Sequence, residues 1–242
     1  MVPFMLEIAL RSAIILSRRS TLDNLLIGVA RERYGDDVIG SVPLLRRHGI
    51  VHASQMLVGV PDGLPVRPMT VIQSFMRSLT MDPEMASMLR KPPTPSSMSY
   101  GSGPNSNIES VYLTLNVPSV YYLGVGDVAK VEEWLLTLVH IGTQAHKGMG
   151  EVERTIITEI DADPNWFGVV GRYQGERVVL RPVPQRLRHR LPADTYGFVN
   201  DETWDYPFFP GYPGAVVEPC LVPPFDSGDY FHRDDVRRLC SH

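Results

Sequence analysis

The segment Ile141-Gly142-Thr143-Gln144-Ala145-His146-Lys147-Gly148-Met149-Gly150 gathers three glycines, a lysine, a histidine and an amide side chain into ten residues. Glycine reaches φ > 0 without steric cost and lets another polymer approach bare main chain. Exposed N–H groups beside a cation suit an anionic ligand, and the cation here is Lys147. The order of residues excludes two common chemistries. No Gly-Lys-Ser/Thr follows the glycines, so this is not a P-loop, and the chain has no Gly-x-Ser-x-Gly nucleophile elbow.

The flanking patterns say what must position these groups. Asp127 is a predicted cap for a helix whose Val128, Val131, Leu135 and Leu138 share a face, with Glu132 and Glu133 opposite. After the turn, Val152, Ile156 and Ile160 alternate with Glu151, Glu153 and Glu159, the pattern of a half-exposed strand. Upstream, residues 4–16 read as a strand whose buried face Glu7 and Arg11 limit. Ser20-Thr21-Leu22-Asp23 then reads as a helix start, and Leu22, Leu25, Leu26, Val29 and Ala30 form one apolar stripe. Arg31, Arg33 and Gly35-Asp36-Asp37 close that helix.

Residues 50–60 predict a second strand, entered from Leu44-Leu45-Arg46-Arg47-His48 and left through the turn Pro61-Asp62-Gly63. Residues 66–79 fit strand or helix equally, and 91–107 carry no apolar period and read as a long loop. Val111–Val117 with Tyr121–Leu123, then Phe167–Gly171 and Arg177–Leu180, read as further strands. The resulting order is a βαββαβ plan, which predicts an α+β, ferredoxin-like (RRM-like) domain over 1–190 with an insertion at 80–107 between its central strands. Residues 191–242 are rich in Pro and aromatics without a period, and predict an irregular extension packed on the domain or on a partner.

Composition bounds the reading. The chain has 242 residues, 43% of them hydrophobic, enough for a real core. Its 21 prolines exceed the usual share of about 5% and imply many irregular connections. The net charge of −4 excludes polyanion binding by bulk charge, so any nucleic-acid surface must be local or shared. Cys220 and Cys240 give no disulfide framework and fit a reducing, cytoplasmic setting. Cys220, His232, Cys240 and His242 match no common ligand spacing, so neither a metal nor a cofactor is expected. Glu7 and Arg11 interrupt the apolar N-terminus, which fits neither a signal peptide nor a membrane span.

Helix, glycine-rich turn with Lys147, then strand resembles the G-loop of the RAMP superfamily of CRISPR systems. The opening strand with Thr21-Leu22-Asp23-Asn24-Leu25-Leu26, and the stretch Gly175…Leu180-Arg181-Pro182-Val183-Pro184, resemble the backbone subunit that caps the 5′ handle of the guide in type IV effectors (the Cas five-type subunit). The resemblance covers about residues 4–190. It implies a non-catalytic part in a ribonucleoprotein: binding the crRNA 5′ handle, capping the filament of backbone subunits and docking the large subunit for target DNA binding. On it, Gly142, Gly148 and Gly150 let main chain approach phosphate, Lys147 adds a charged contact, and Gln144 and His146 read base edges or 2′-hydroxyls. Arg46, Arg47, His48 and Arg67 are further RNA candidates, and the insertion is a thumb carrying Arg90 and Lys91. Gln144 and His146 stand where such loops commonly carry lysine or arginine, which implies a grip completed by neighbours.

Each assignment has a plainer counterpart. Arg46 and Arg47 also fit solvated charges before a strand, and Arg186, Arg188, His189 and Arg190 a basic cluster that is solvated or touches nucleic acid. Tyr121-Tyr122 reads as half core rather than a stacking platform. The rival function is a metal-independent endoribonuclease acting on CRISPR repeat RNA. It would draw a base, an acid and a cation from His140, His146, Lys147 and Tyr34. Spacing does not show that any two of these converge on one site. A third class is a scaffold that meets protein only, which the acidic tail and the net charge favour.

Overall fold

The computed structural model describes residues 1–15, 20–60, 71–77, 108–142, 148–204, 216–225 and 230–240. The chain is mixed α+β, strand-rich with few helices, and divides into two compact units. One unit comprises Met1–Pro68 and Asn116–His242, and the other Met69–Leu115.

In the first unit β1 (Val2–Leu10) is buried from Pro3 onward, the signature of a strand covered on both faces. Arg11 lies past its end and Glu7 is buried within it, so neither limits a buried face as the sequence suggested. The Glu7 carboxylate accepts from Ser119 Oγ at 3.3 Å and pairs with Arg233 at 3.4 Å. Helix α1 (Leu22–Tyr34) buries Leu22, Leu26, Val29 and Ala30, and the Gly35 N–H closes it on Arg31 O. Its predicted cap is different in kind. The Thr21 side chain makes no cap bond, and the Leu22 N–H is taken by Ser54 O at 3.1 Å.

The short hairpin β2 (Arg46–Arg47) and β3 (Ile50–Val51) precedes β4 (Leu57–Val60). One strand over 50–60 was expected, and it is broken because Ser54 intervenes. Its hydroxyl accepts from Leu123 N–H at 2.9 Å and donates to Gln55 O at 2.8 Å, replacing ladder bonds with side-chain ones. In the second unit β5 (Val71–Arg77) and β6 (Ile108–Thr114) pair antiparallel from Val71↔Thr114 to Arg77↔Ile108. This settles the ambiguous 66–79 stretch as strand over 71–77. It also separates β6 from β7 (Ser119–Gly126), where Pro118 has no N–H to continue a ladder.

Helix α2 (Val128–Leu135) is capped by Asp127, whose Oδ1 accepts from Lys130 N–H at 3.4 Å; Val131 and Leu135 face inward. Then β8 (Val152–Glu159) runs antiparallel to β1 at an edge of the sheet. The main sheet has the order β14-β4-β7-β1-β8. Thus α1 links β1 to β4 and α2 links β7 to β8, each across one intervening antiparallel strand.

The second face of this sheet is covered by later elements. The hairpin β9 (Val170–Tyr173) and β10 (Glu176–Val179) leads to β11 (Val183–Pro184), which with β12 (Phe198–Thr203) and β13 (Val217–Val222) makes a three-stranded sheet ordered β11-β13-β12. β14 (Tyr230–His232) joins the main sheet parallel to β4, and α3 (Arg233–Leu239) follows. The irregular extension expected beyond 190 is therefore built into the fold. Phe225, Phe231, Val236, Leu239 and Cys240 share a core with Met5, Leu57, Tyr121 and Leu123. Tyr121 and Tyr122 are themselves buried.

Arg181 ties these layers together and is the largest fully buried side chain among the described residues. It pairs with buried Asp23 of α1 at 3.2 Å. It also donates to Val51 O at 2.8 Å and to Trp204 O at 2.9 Å. Among the described residues no helix is long and apolar enough to cross a membrane.

Candidate nucleic-acid interface

The turn between α2 and β8 is clasped at its base. His140 bridges Glu151, the Ile141 N–H donates to Gly150 O at 2.9 Å, and the Gly150 N–H donates to Ala13 O at 2.8 Å. Ser12 fastens the same point: its hydroxyl donates to Gly148 O at 2.8 Å and accepts from the Glu151 N–H at 2.9 Å. Gly142, Gly148 and Gly150 all have positive φ, at 84°, 75° and 65°. Only one of them has free space beyond its α-carbon. A Cβ on Gly142 would meet Ile15 O and one on Gly150 would meet Ile141 O, whereas Gly148 faces open space. Glycine at 142 and 150 thus serves packing of the chain on itself, and Gly148 is where a ligand has room. Gln144, His146 and Lys147 lie outside the described residues, as do Arg67, Arg90, Lys91 and the whole of the 80–107 insertion.

Arg46, Arg47 and His48 come together at the exposed tip of the β2–β3 hairpin. His48 and Gly49 have φ of 54° and 80°, as a two-residue loop with both central φ positive requires. Arg47 donates to Asn165 Oδ1 at 3.2 Å, and the His48 ring stacks on Trp166 at 5.6 Å between centroids. Trp166 itself sits at φ 71°, an outlier for a bulky side chain of the kind that gathers at binding sites. A guanidinium group beside stacked rings, as Arg47 stands here, can hold phosphate and base together. Trp166 was missed because it stands more than 100 residues away in the chain; an aromatic in a polar turn, Asp163-Pro164-Asn165-Trp166, was the available signal.

Beneath this tip His52 is 1% exposed, stacks on Trp166 at 6.1 Å, and makes no hydrogen bond of good geometry through either ring nitrogen. Burial lowers its pKa from 6.5 to about 4; the Pro164 carbonyl opposes the shift, and the charges of Arg181, Arg47 and His48 add to it. A lowered folded pKa means that the unfolded chain binds the proton first as pH falls. The contribution of neutral His52 is thus complete above pH 6.5 and lost toward pH 4. Unfolding free energies of wild type and His52→Leu from urea denaturation are expected to diverge by on the order of 2–3 kcal/mol between pH 4 and pH 7, with wild type gaining as pH rises. A pH-independent difference would show that this imidazole is not held neutral.

The groups available for cleavage are arranged otherwise. Tyr34 donates its hydroxyl to Glu133 Oε1 at 3.2 Å and lies under the Arg33 guanidinium, and His140 is part of the clasp. Among the described residues no hydrogen bond joins Tyr34 to His140, and no cluster of His, Cys, Asp or Glu has the form of a metal site. Both cysteines are buried, and burial pushes the Cys240 thiol up to about 12. No protein-family model matches this sequence, and no curated protein is significantly similar to it.

Proposed function

We propose that this chain is the non-catalytic subunit of a type IV CRISPR ribonucleoprotein that binds the 5′ handle of the crRNA, caps the backbone filament and docks the large subunit for target DNA binding. The observation that carries the reading is the place of the glycine turn. It enters β8, the last strand of β1-α1-β4-β7-α2-β8, and those four strands lie in the order β4-β7-β1-β8. Two interleaved β-α-β units with that order are what a ferredoxin-like domain requires, and its final helix–strand turn is where the resemblance puts the guide.

The covered sheet supports a further point. An RRM stacks bases on its open sheet face, and here that face is filled by Phe225, Phe231 and Leu239. RNA is therefore read at the rims, by the turn around Gly148 and by the Arg46–His48 tip. The scarcity of cations at the turn fits a guide shared between subunits. Purification with the neighbouring gene products should yield small RNAs with a common 5′ end. Lys147→Glu is expected to lower RNA occupancy while the melting temperature stays unchanged; RNA-free assemblies, or full occupancy in the variant, would count against the assignment.

A further inference from the structure

We propose that the loop between the Gln185–Arg190 turn and β12 is a second contact surface for single-stranded RNA, with Arg188, Arg190 and Arg177 holding phosphates and the Tyr196–Phe198 pair stacking a base. The RNA is taken from the reading above; the surface is argued from its own geometry.

The turn Gln185–Arg190 is anchored by Leu187, which is buried, while its charged side chains face outward. They are not equivalent. Arg186 is neutralised by Glu218 at 3.1 Å and lies over the Trp204 ring. Arg188 and Arg190 are exposed and, among the described residues, have no ion-pair partner. Arg188 and His189 border an open groove of about 730 Å³, whose far wall is the Leu191–Thr195 loop. The Arg177 guanidinium abuts that loop, donating to Ala193 O at 2.9 Å.

Arg177 also stands directly opposite Arg172 in the β9–β10 register. Like charges facing across a hairpin are unfavourable unless an anion relieves them. Asp194 in the loop and exposed Glu176 are opposing charges, and Asp201 and Glu202 follow Phe198 on β12, so the surface carries both signs in a chain whose net charge is −4.

One residue beyond the groove, the aromatics change character. Phe225 and Phe231 are buried, whereas Tyr196 is 42% and Phe198 53% exposed, with their rings edge to face at 5.4 Å. Exposed guanidinium groups without an ion-pair partner among the described residues, Arg188 and Arg190, on a groove edge that carries Gln185 and leads along the chain to exposed rings match the requirements of a single strand: phosphate on cations, base on aromatic.

The test is fluorescence anisotropy of the full chain with a labelled 20-nucleotide U-rich RNA. Variants are Arg188→Glu/Arg190→Glu, Phe198→Ala and, for comparison, Lys147→Glu. The double variant is expected to bind roughly tenfold more weakly with a shallower salt dependence, and Phe198→Ala to lose several-fold at every salt concentration. The double variant and Phe198→Ala should melt like wild type, since the side chains changed at 188, 190 and 198 are exposed. Loss in the double variant with normal binding by Lys147→Glu would sustain this surface and count against the glycine turn. Wild-type binding by the double variant, with loss in Lys147→Glu, would overturn this surface alone. Wild type that binds no RNA overturns both, and a groove that binds poly-glutamate through Arg188 and Arg190 but not RNA is a site for acidic protein and also overturns the proposal.

Discussion

Asp23→Ala is expected to destabilise the protein by about 3–5 kcal/mol, because it leaves the Arg181 guanidinium buried without its counter-charge. Both side chains are almost inaccessible, at 1% and 2%, and the pair closes at 3.2 Å. One Asp23 oxygen and the Arg181 Nε have no hydrogen-bond partner, so the pair is already short of ideal compensation. Asp23→Leu/Arg181→Met should recover part of the loss, since no charge then remains to be desolvated. Recovery stays incomplete because Arg181 also serves the carbonyls of Val51, Ala53 and Trp204, and an orphaned buried carbonyl costs about 1–3 kcal/mol. Urea denaturation at pH 7 measures all three. A single variant within about 1 kcal/mol of wild type would mean that the pair is not buried in solution.

Gly150→Ala is the second large effect. At φ 65° any side chain meets the left-handed penalty of about 1–2 kcal/mol. The added Cβ would in addition fall on the Ile141 carbonyl, the group that the Ile141–Gly150 clasp brings there. Opening the clasp adds roughly 1–3 kcal/mol, so about 3 kcal/mol or more is expected in all. Gly148→Ala is the control: its φ is 75°, nothing stands within 4 Å of its Cβ, and only the backbone penalty applies. For a chain of this size each kcal/mol lowers the melting temperature by about 2–4 °C. Equal melting of the two variants would show that the turn is not clasped. For RNA the ranking reverses in meaning: Gly148 is the position with room for a ligand, so binding lost there at little cost in stability reports on the interface.

How far each element could be read depended on whether its bonding was local. The Asp127 cap, the α1 stripe with its Gly35 end and the half-exposed strand β8 are each set by residues within a few positions of one another, although the burial of β8 does not alternate as its sequence suggested. The extension beyond 190 was opaque because its strands are short and their partners distant. Val183 pairs with Leu221, and Tyr230 lies beside Val58. Ser54 broke the expected strand through a bond to Leu123, and Asp23, which looked like a cap residue, answers to a cation 158 positions away.

The same division runs through the site. The residues alone put Gly142, Gly148 and Gly150 in a helix-to-strand turn and allowed them positive φ, which all three adopt. They also put Arg46, Arg47 and His48 at the edge of a strand. Only the tertiary structure decided that Gly142 and Gly150 spend that freedom on packing against Ile15 and Ile141, leaving Gly148 open. It alone brought Trp166 under His48, filled the sheet face with the C-terminal core, and set the Arg177 guanidinium on the same 191–195 loop that Arg188 faces across the groove. Torsional preference is a property of a residue and its neighbours; what a backbone or a guanidinium group faces depends on chain that arrives from far away.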